Sequence, residues 1–233
     1  MPMTIKKPVV DYLQFRPNKL NTDTFRHLKL LLYWPVFGIF FMYVERIRQV
    51  SYYYPMHCSL DDIFPFCELF VIPYLFWFVY LVGMHLYTLL YDIAAFRKMM
   101  KFIIITYSAA MLIYLVFPNC QELLPIDFAR DNFLTRFMSG FYQFDTNTNV
   151  CPSIHVIGSL AVWFASWEVK AFRTPGWCIG FGVAAILICV STVFLKQHSI
   201  LDLFAAIPIC LIAYVICFGK KKEKPRKKAA VTA

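Results

Sequence analysis

The chain has 233 residues, of which 60% are hydrophobic, 18% aromatic and only 16% charged, which is too apolar for one soluble core. Its formal charge of +9 raises nucleic acid as a partner, but no folded basic platform accompanies that charge. The composition is that of a polytopic membrane protein, and the expected fold class is all-α, an integral membrane bundle of six transmembrane helices.

A spanning helix needs roughly 20 mainly apolar residues, and the runs that approach this are 28–45, 69–91, 102–118, 152–169, 177–195 and 200–218. This divides the chain into a cytoplasmic segment 1–27, a six-helix domain 28–218 and a basic tail 219–233. Residues 1–27 read as an irregular polar lead-in without the apolar core of a cleavable signal, so the first span is expected to insert as its own signal. Pro35 is expected to kink that span. In the outer loop after it, Tyr52, Tyr53 and Tyr54 suit a headgroup boundary, and Asp61 and Asp62 are expected to be solvated. The second span carries Pro73 and His85, read as a packed structural histidine. After the third span, the connection from Pro118 to Asn149 is the longest in the chain and shows no apolar period of its own; long connections of this kind tend to be functional or disordered. Lys196, Gln197 and His198 form a tight turn between the last two spans.

Charge placement fixes the orientation. Of the 23 Lys and Arg residues, 18 lie in 1–29, 92–101, 168–173 and 220–228, while Arg46, Arg48, Arg130, Arg136 and Lys196 fall in the alternate loops. The richer side is cytoplasmic, so both termini are expected inside, which requires an even number of spans. The basic tail is then a topology determinant, with anionic-lipid contact second and no role for nucleic acid. Of the eight cysteines, Cys178, Cys189, Cys210 and Cys217 fall in spans as small apolar residues. Cys58, Cys67, Cys120 and Cys151 fall on the outer side, where sequence does not assign connectivity. None has zinc-site spacing.

Two stretches carry the chemistry. Residues 149–155 read Asn-Val-Cys-Pro-Ser-Ile-His, and 191–202 read Ser-Thr-Val-Phe-Leu-Lys-Gln-His-Ser-Ile-Leu-Asp. Ionisable side chains beside spans are expensive and mark function. Pro152 suits a first helical position, which puts Ser153 and His155 in the first turn of the fourth span, where free N–H groups and the helix dipole favour a phosphate. His198 and Asp202 are four apart and share a face if the helix begins at His198. The aspartate can then hold one imidazole nitrogen and leave the other free to attack, with His155 as general acid. A metal triad of His155, His198 and Asp202 would suit iron or zinc, but the flanking serines argue for phosphate, so neither metal nor cofactor is expected.

The pattern Pro-Ser-x-His followed by Ser-x6-His-x3-Asp resembles the second and third signature motifs of the type 2 phosphatidic acid phosphatase superfamily, over roughly residues 118–218. The resemblance implies a six-span, metal-independent enzyme acting on lipid phosphates through a phosphohistidine, with His198 as nucleophile, Asp202 its partner, His155 the acid, and Ser153 and Ser191 as phosphate contacts. This chain departs from the pattern: Leu124 stands where the first motif has arginine, Thr192 where the third does, and Ile154 replaces a glycine. Arg and Lys clamps on a transferring phosphoryl group are large catalytic terms, so Lys196, Arg130 or Arg136 is expected to supply charge, with Thr192 beside the phosphate; the competing reading has the arginines paired with Asp127 or Asp131. The set also resembles inositol phosphorylceramide and sphingomyelin synthases. Three functions follow as expectations: hydrolysis of a lipid phosphomonoester or pyrophosphate, transfer of a phospho-headgroup to a lipid alcohol, or non-catalytic binding of a lipid phosphate. The site is expected to face outside the plasma membrane.

Overall fold

A computed structural model describes residues 7–219, so the tail beyond Gly219 and the first six residues lie outside the described part. The fold is all-helical, built from α1 (Tyr33–Met42), α2 (Val71–Tyr91), α3 (Ile93–Val116), α4 (Phe133–Phe144), α5 (Ile154–Glu168), α6 (Pro175–Phe194) and α7 (Ile200–Phe218). Among the described residues five helical stretches are long and apolar enough to cross a membrane: Arg26–Ile47, Glu68–Tyr91, Ile93–Val116, Pro175–Phe194 and Ile200–Phe218. That makes this a helical membrane protein by architecture.

The run at 152–169 behaves differently. It forms α5, only 15 residues long, or about 22 Å at 1.5 Å per residue, and ten of those residues are buried. α5 packs against α2, α3, α6 and α7, which makes it the hub of the bundle. Its small residues Gly158, Ser159, Ala161, Ala165 and Ser166 let the surrounding helices approach closely. Exposed apolar side chains such as Val82, Ile186 and Val215 lie instead on α2, α6 and α7.

Pro35 sits in the first turn of α1, after a 3-10 stretch over Arg26–Leu32. The tight winding turns into α-helix close to that point. The segment before it is anchored to the end of α2: Val9 N–H donates to Leu90 O at 2.8 Å and the Tyr12 hydroxyl to Leu89 O at 2.6 Å. His85 is buried in α2, with Nδ1 2.8 Å from Leu81 O and its ring against Trp34. All eight cysteines are free.

The connection from Pro118 to Asn149 does have a helix of its own. Asn132 and Thr135 form a capping box that starts α4, and Leu134, Met138, Phe141 and Tyr142 pack against Tyr74 and Leu195. The recurrence of apolar residues at 134, 137, 138, 141 and 142 is a helical period, masked in the sequence by the charged Arg130–Arg136 flank. At the same end of the bundle β1 (Tyr54–Pro55) pairs in parallel with β2 (Asn119–Cys120), and Cys120 bridges to Thr148. Three loops are thus knitted together over the starts of α5 and α7.

Candidate active site

Two helix starts build the site. At α5 Ser153 is the N-cap, its Oγ accepting from Val156 N–H at 3.4 Å, which places His155 second in the first turn. Pro152 lies one residue before the cap rather than at the first helical position. Its carbonyl accepts from the buried Tyr114 hydroxyl at 2.6 Å, while the Asn119 side chain brackets Cys151, accepting from its N–H at 2.8 Å and donating to its carbonyl at 2.9 Å. The segment is pinned before the helix can begin.

At α7 the helix starts at Ile200, two residues after His198. Ser199 caps it, accepting from Leu201 N–H at 3.1 Å, and Asp202 Oδ2 accepts from Ser199 N–H at 3.0 Å, which closes a capping box. The same Oδ2 lies 3.1 Å from His198 Nδ1. Lys196 adopts a left-handed φ of 56°, and Gln197 and His198 donate their N–H groups to Thr192 O at 2.9 and 3.2 Å. This tight turn folds His198 back towards α5. Its Nε2 comes to 3.3 Å from His155 Nδ1, and Ser153 N–H donates to Asp202 O at 3.1 Å, tying the two helix starts together.

All three side chains are buried, with His155 8%, His198 6% and Asp202 0% exposed. His155 packs against two rings, its centroid 4.7 Å from that of Tyr74 and 4.6 Å from that of Trp77. A cavity of about 40 Å³ opens beside the histidines, lined among others by Glu45, Tyr114, Asp145 and Gln197. Glu45 accepts from Asn149 Nδ2 at 2.6 Å, from Thr148 Oγ1 at 3.0 Å and from Thr146 Oγ1. Asp145 accepts from the Tyr74 hydroxyl at 2.9 Å. Burial raises its carboxyl above the ordinary aspartate value, against the Tyr74 hydrogen bond and the nearby Arg46. Gln197 Nε2, in the cavity wall, is buried without a protein partner, so it remains open to a ligand or a water.

The other expected site residues are placed as follows. Ser191 Oγ donates to Ile188 O at 2.6 Å and Thr192 Oγ1 to Cys189 O at 2.8 Å, both within α6. Lys196 Nζ donates to Asp61 O at 2.7 Å. Arg130 lies 3.3 Å from Glu68, and Arg136 pairs with Asp131 at 2.7 and 2.8 Å. As metal ligands the His155, His198 and Asp202 donors do not converge, because Asp202 engages the imidazole nitrogen of His198 opposite the one facing His155.

Asp61, expected in solvent, is 1% exposed. Its Oδ2 accepts from Ser199 Oγ at 2.6 Å and Cys58 N–H at 2.9 Å, and its Oδ1 from Ile200 N–H at 2.8 Å. Burial alone would raise this carboxyl, but the bonds from Ser199, Ile200 and Cys58 together hold it below the usual value. It stands at a helix N-terminus, where a carboxylate is favoured. Asp62, by contrast, is exposed and pairs with His57 at 3.0 Å.

The fold and site define a helical membrane protein with a buried His–His–Asp cluster at one end of its bundle. No family model matches the chain, and no curated protein or solved structure matches it.

Proposed function

We propose that this protein is a membrane-embedded lipid phosphatase that works through a phosphohistidine at His198. One observation carries the reading: Asp202 Oδ2 lies 3.1 Å from His198 Nδ1 while His198 Nε2 lies 3.3 Å from His155 Nδ1, so three buried groups form one line. Asp202 holds the proton on Nδ1 and leaves the Nε2 lone pair free. His198 Nε2 attacks phosphorus, the bond from phosphorus to the lipid oxygen breaks, and that oxygen takes a proton from His155. Water then attacks the phosphohistidine, His155 accepts its proton, the P–N bond breaks and inorganic phosphate leaves. Gln197 Nε2, buried at the pocket without a partner, is the side-chain donor best placed for a phosphate oxygen.

With α5 counted as a sixth, protein-surrounded span, the excess of Lys and Arg in 1–29, 92–101, 168–173 and 220–228 supports a topology with both termini in the cytoplasm and the histidines at the opposite face of the membrane. A second reading, transfer of the phosphoryl-bearing headgroup to a lipid alcohol, uses the same nucleophile and general acid and differs in the oxygen that attacks the phosphohistidine. Product analysis with and without an added lipid alcohol separates the two.

The test is to incubate the purified chain with a labelled panel of phosphatidic acid and a polyprenyl pyrophosphate and quench mid-reaction. The expected result is an acid-labile, base-stable phosphate on the protein that is absent from His198→Ala. Substrate binding with no turnover and no labelled protein would instead make the chain a non-catalytic lipid-phosphate binder.

A further inference from the structure

The histidine cavity is too small for a lipid and does not end at its own walls. Phe41, Glu45, Asp145 and Thr146 line it and also line a second groove of about 270 Å³, whose remaining walls are Gly38, Met42 and Arg46. The two spaces therefore adjoin, with these four side chains in the walls of both. The second groove lies along the Gly38–Met42 face of α1, apolar at Gly38 and Met42 and charged at Glu45, Arg46 and Asp145.

We propose that this groove holds the hydrocarbon chain of the lipid phosphate, with Gly38 setting the space for the chain and Arg46 receiving the phosphate on its way to the histidines. The inference rests on the lipid phosphatase reading and adds the route and the residue that selects for a lipid.

Four observations support it. First, α1 has no buried residue and is the most peripheral of the spans, so a chain can enter beside it with little repacking. Second, a Cβ built on Gly38 meets nothing within 4 Å, so the absence of a side chain there leaves open space along the groove. Third, Arg46 supplies a cation at the mouth, where Leu124 and Thr192 stand in place of the arginines of the resembled family. It is close enough to influence Asp145, which lines both spaces. Fourth, the larger apolar groove between α2 and α6, about 670 Å³ and lined by residues such as Ile72, Phe76 and Val183, shares no residue with the histidine cavity. A chain seated there would not deliver its phosphate to His198.

Gly38→Leu grows from a Cβ position that meets nothing within 4 Å and replaces a poor helix former by a good one, so the bundle is expected to keep its melting temperature. Two readouts on the full chain in detergent micelles test the inference. In the first, turnover of long-chain phosphatidic acid is compared with that of water-soluble p-nitrophenyl phosphate. The ratio of lipid to soluble turnover should fall about tenfold or more in Gly38→Leu, as filling a hydrophobic pocket does elsewhere. An unchanged ratio overturns the groove. In the second, a phosphatidic acid carrying a diazirine in its chain is photolysed on the protein, and labelling is mapped by mass spectrometry. The peptide over 33–47 should be labelled in the unsubstituted chain and lose that label in Gly38→Leu. No label there overturns the groove whatever the turnover. Label on 33–47 from a protein that hydrolyses neither substrate would sink the phosphatase reading and leave the groove standing.

Discussion

The two imidazoles of the site are held by opposite means. His198 is fixed by hydrogen bonds: Asp202 on its Nδ1, and its own N–H on Thr192 O in a turn whose left-handed Lys196 leaves no slack. His155 has no carboxylate partner and is positioned by aromatic packing between Tyr74 and Trp77. A hydrogen-bonded carboxylate keeps one nitrogen protonated and the other available, which suits a nucleophile. An imidazole without a carboxylate partner is not committed to holding its proton on one nitrogen, which leaves it available to face the leaving oxygen as a general acid. The proposed division of roles between the two histidines rests on this difference.

The sharpest way to break that comparison is to remove each ring in turn. His198→Ala should lower phosphatidic acid turnover by about 10⁴-fold or more, as loss of a nucleophile does, and abolish the labelled protein. His155→Ala should cost about 10²–10⁴-fold on the same substrate but much less on p-nitrophenyl phosphate, whose leaving oxygen needs no proton. Equal losses on both substrates for His155→Ala would remove the general-acid assignment.

A smaller effect is expected one shell out, on the hydrogen-bonded side alone. Asp61 joins the outer loop to the start of α7 by accepting from Ser199, Ile200 and Cys58, and thereby positions the turn that carries His198. Asn offers one acceptor oxygen where Asp61 uses two, so Asp61→Asn should lower stability by about 1–2 kcal/mol, with kcat falling and KM unchanged. The pH dependence has a definite sign. The Asp61 carboxyl is held below its ordinary value, so its contribution is complete above the unfolded aspartate pKa of about 3.9 and is lost as pH falls through the lower folded value. The difference in melting temperature between the native chain and Asp61→Asn should be largest at neutral pH and vanish in strong acid. A difference that persists there would mean that Asp61 acts by packing and not by charge.

The helical membrane fold was legible in the hydropathy and the His198–Asp202 pair in local spacing, while the meeting of His155 with His198, 43 residues apart, was expected from the topology count and the family resemblance. Asp202 follows His198 by one helical turn and Ser153 precedes His155 by two residues, both within reach of local rules. What was not legible came from far along the chain. Asp61 lies 138 residues from Ser199, and Glu45 lies 104 from Asn149; no periodicity reports such pairs, and a single aspartate in a polar loop reads as solvated. The burial of α5 was hidden for another reason, since an apolar run looks the same whether it faces lipid or other helices. Its small residues were the available signal.

The aromatic side of the comparison gives the smallest and most specific prediction. Gly158 lies one turn after His155 on α5, and a Cβ there would come within 2.9 Å of Trp77 Nε1 and of the Tyr107 hydroxyl. Replacing glycine by alanine inside a helix stabilises it by about 0.5–1 kcal/mol, but here the added methyl must displace Trp77 or the Tyr107 hydroxyl, and Trp77 packs on the ring of His155. The two effects oppose each other in stability and not in catalysis. Gly158→Ala should therefore leave the melting temperature within a few degrees while lowering kcat about three- to tenfold through His155, on the scale of a sub-ångström misplacement. The loss should shrink when Trp77 is also changed to Phe, because the Trp77 Nε1 and Cζ2 atoms at 2.9 and 3.0 Å from the added Cβ belong to the part of the indole that Phe lacks. Equal losses in the two backgrounds would show that His155 does not depend on Trp77 for its position, and the aromatic half of the contrast between the two histidines would fall.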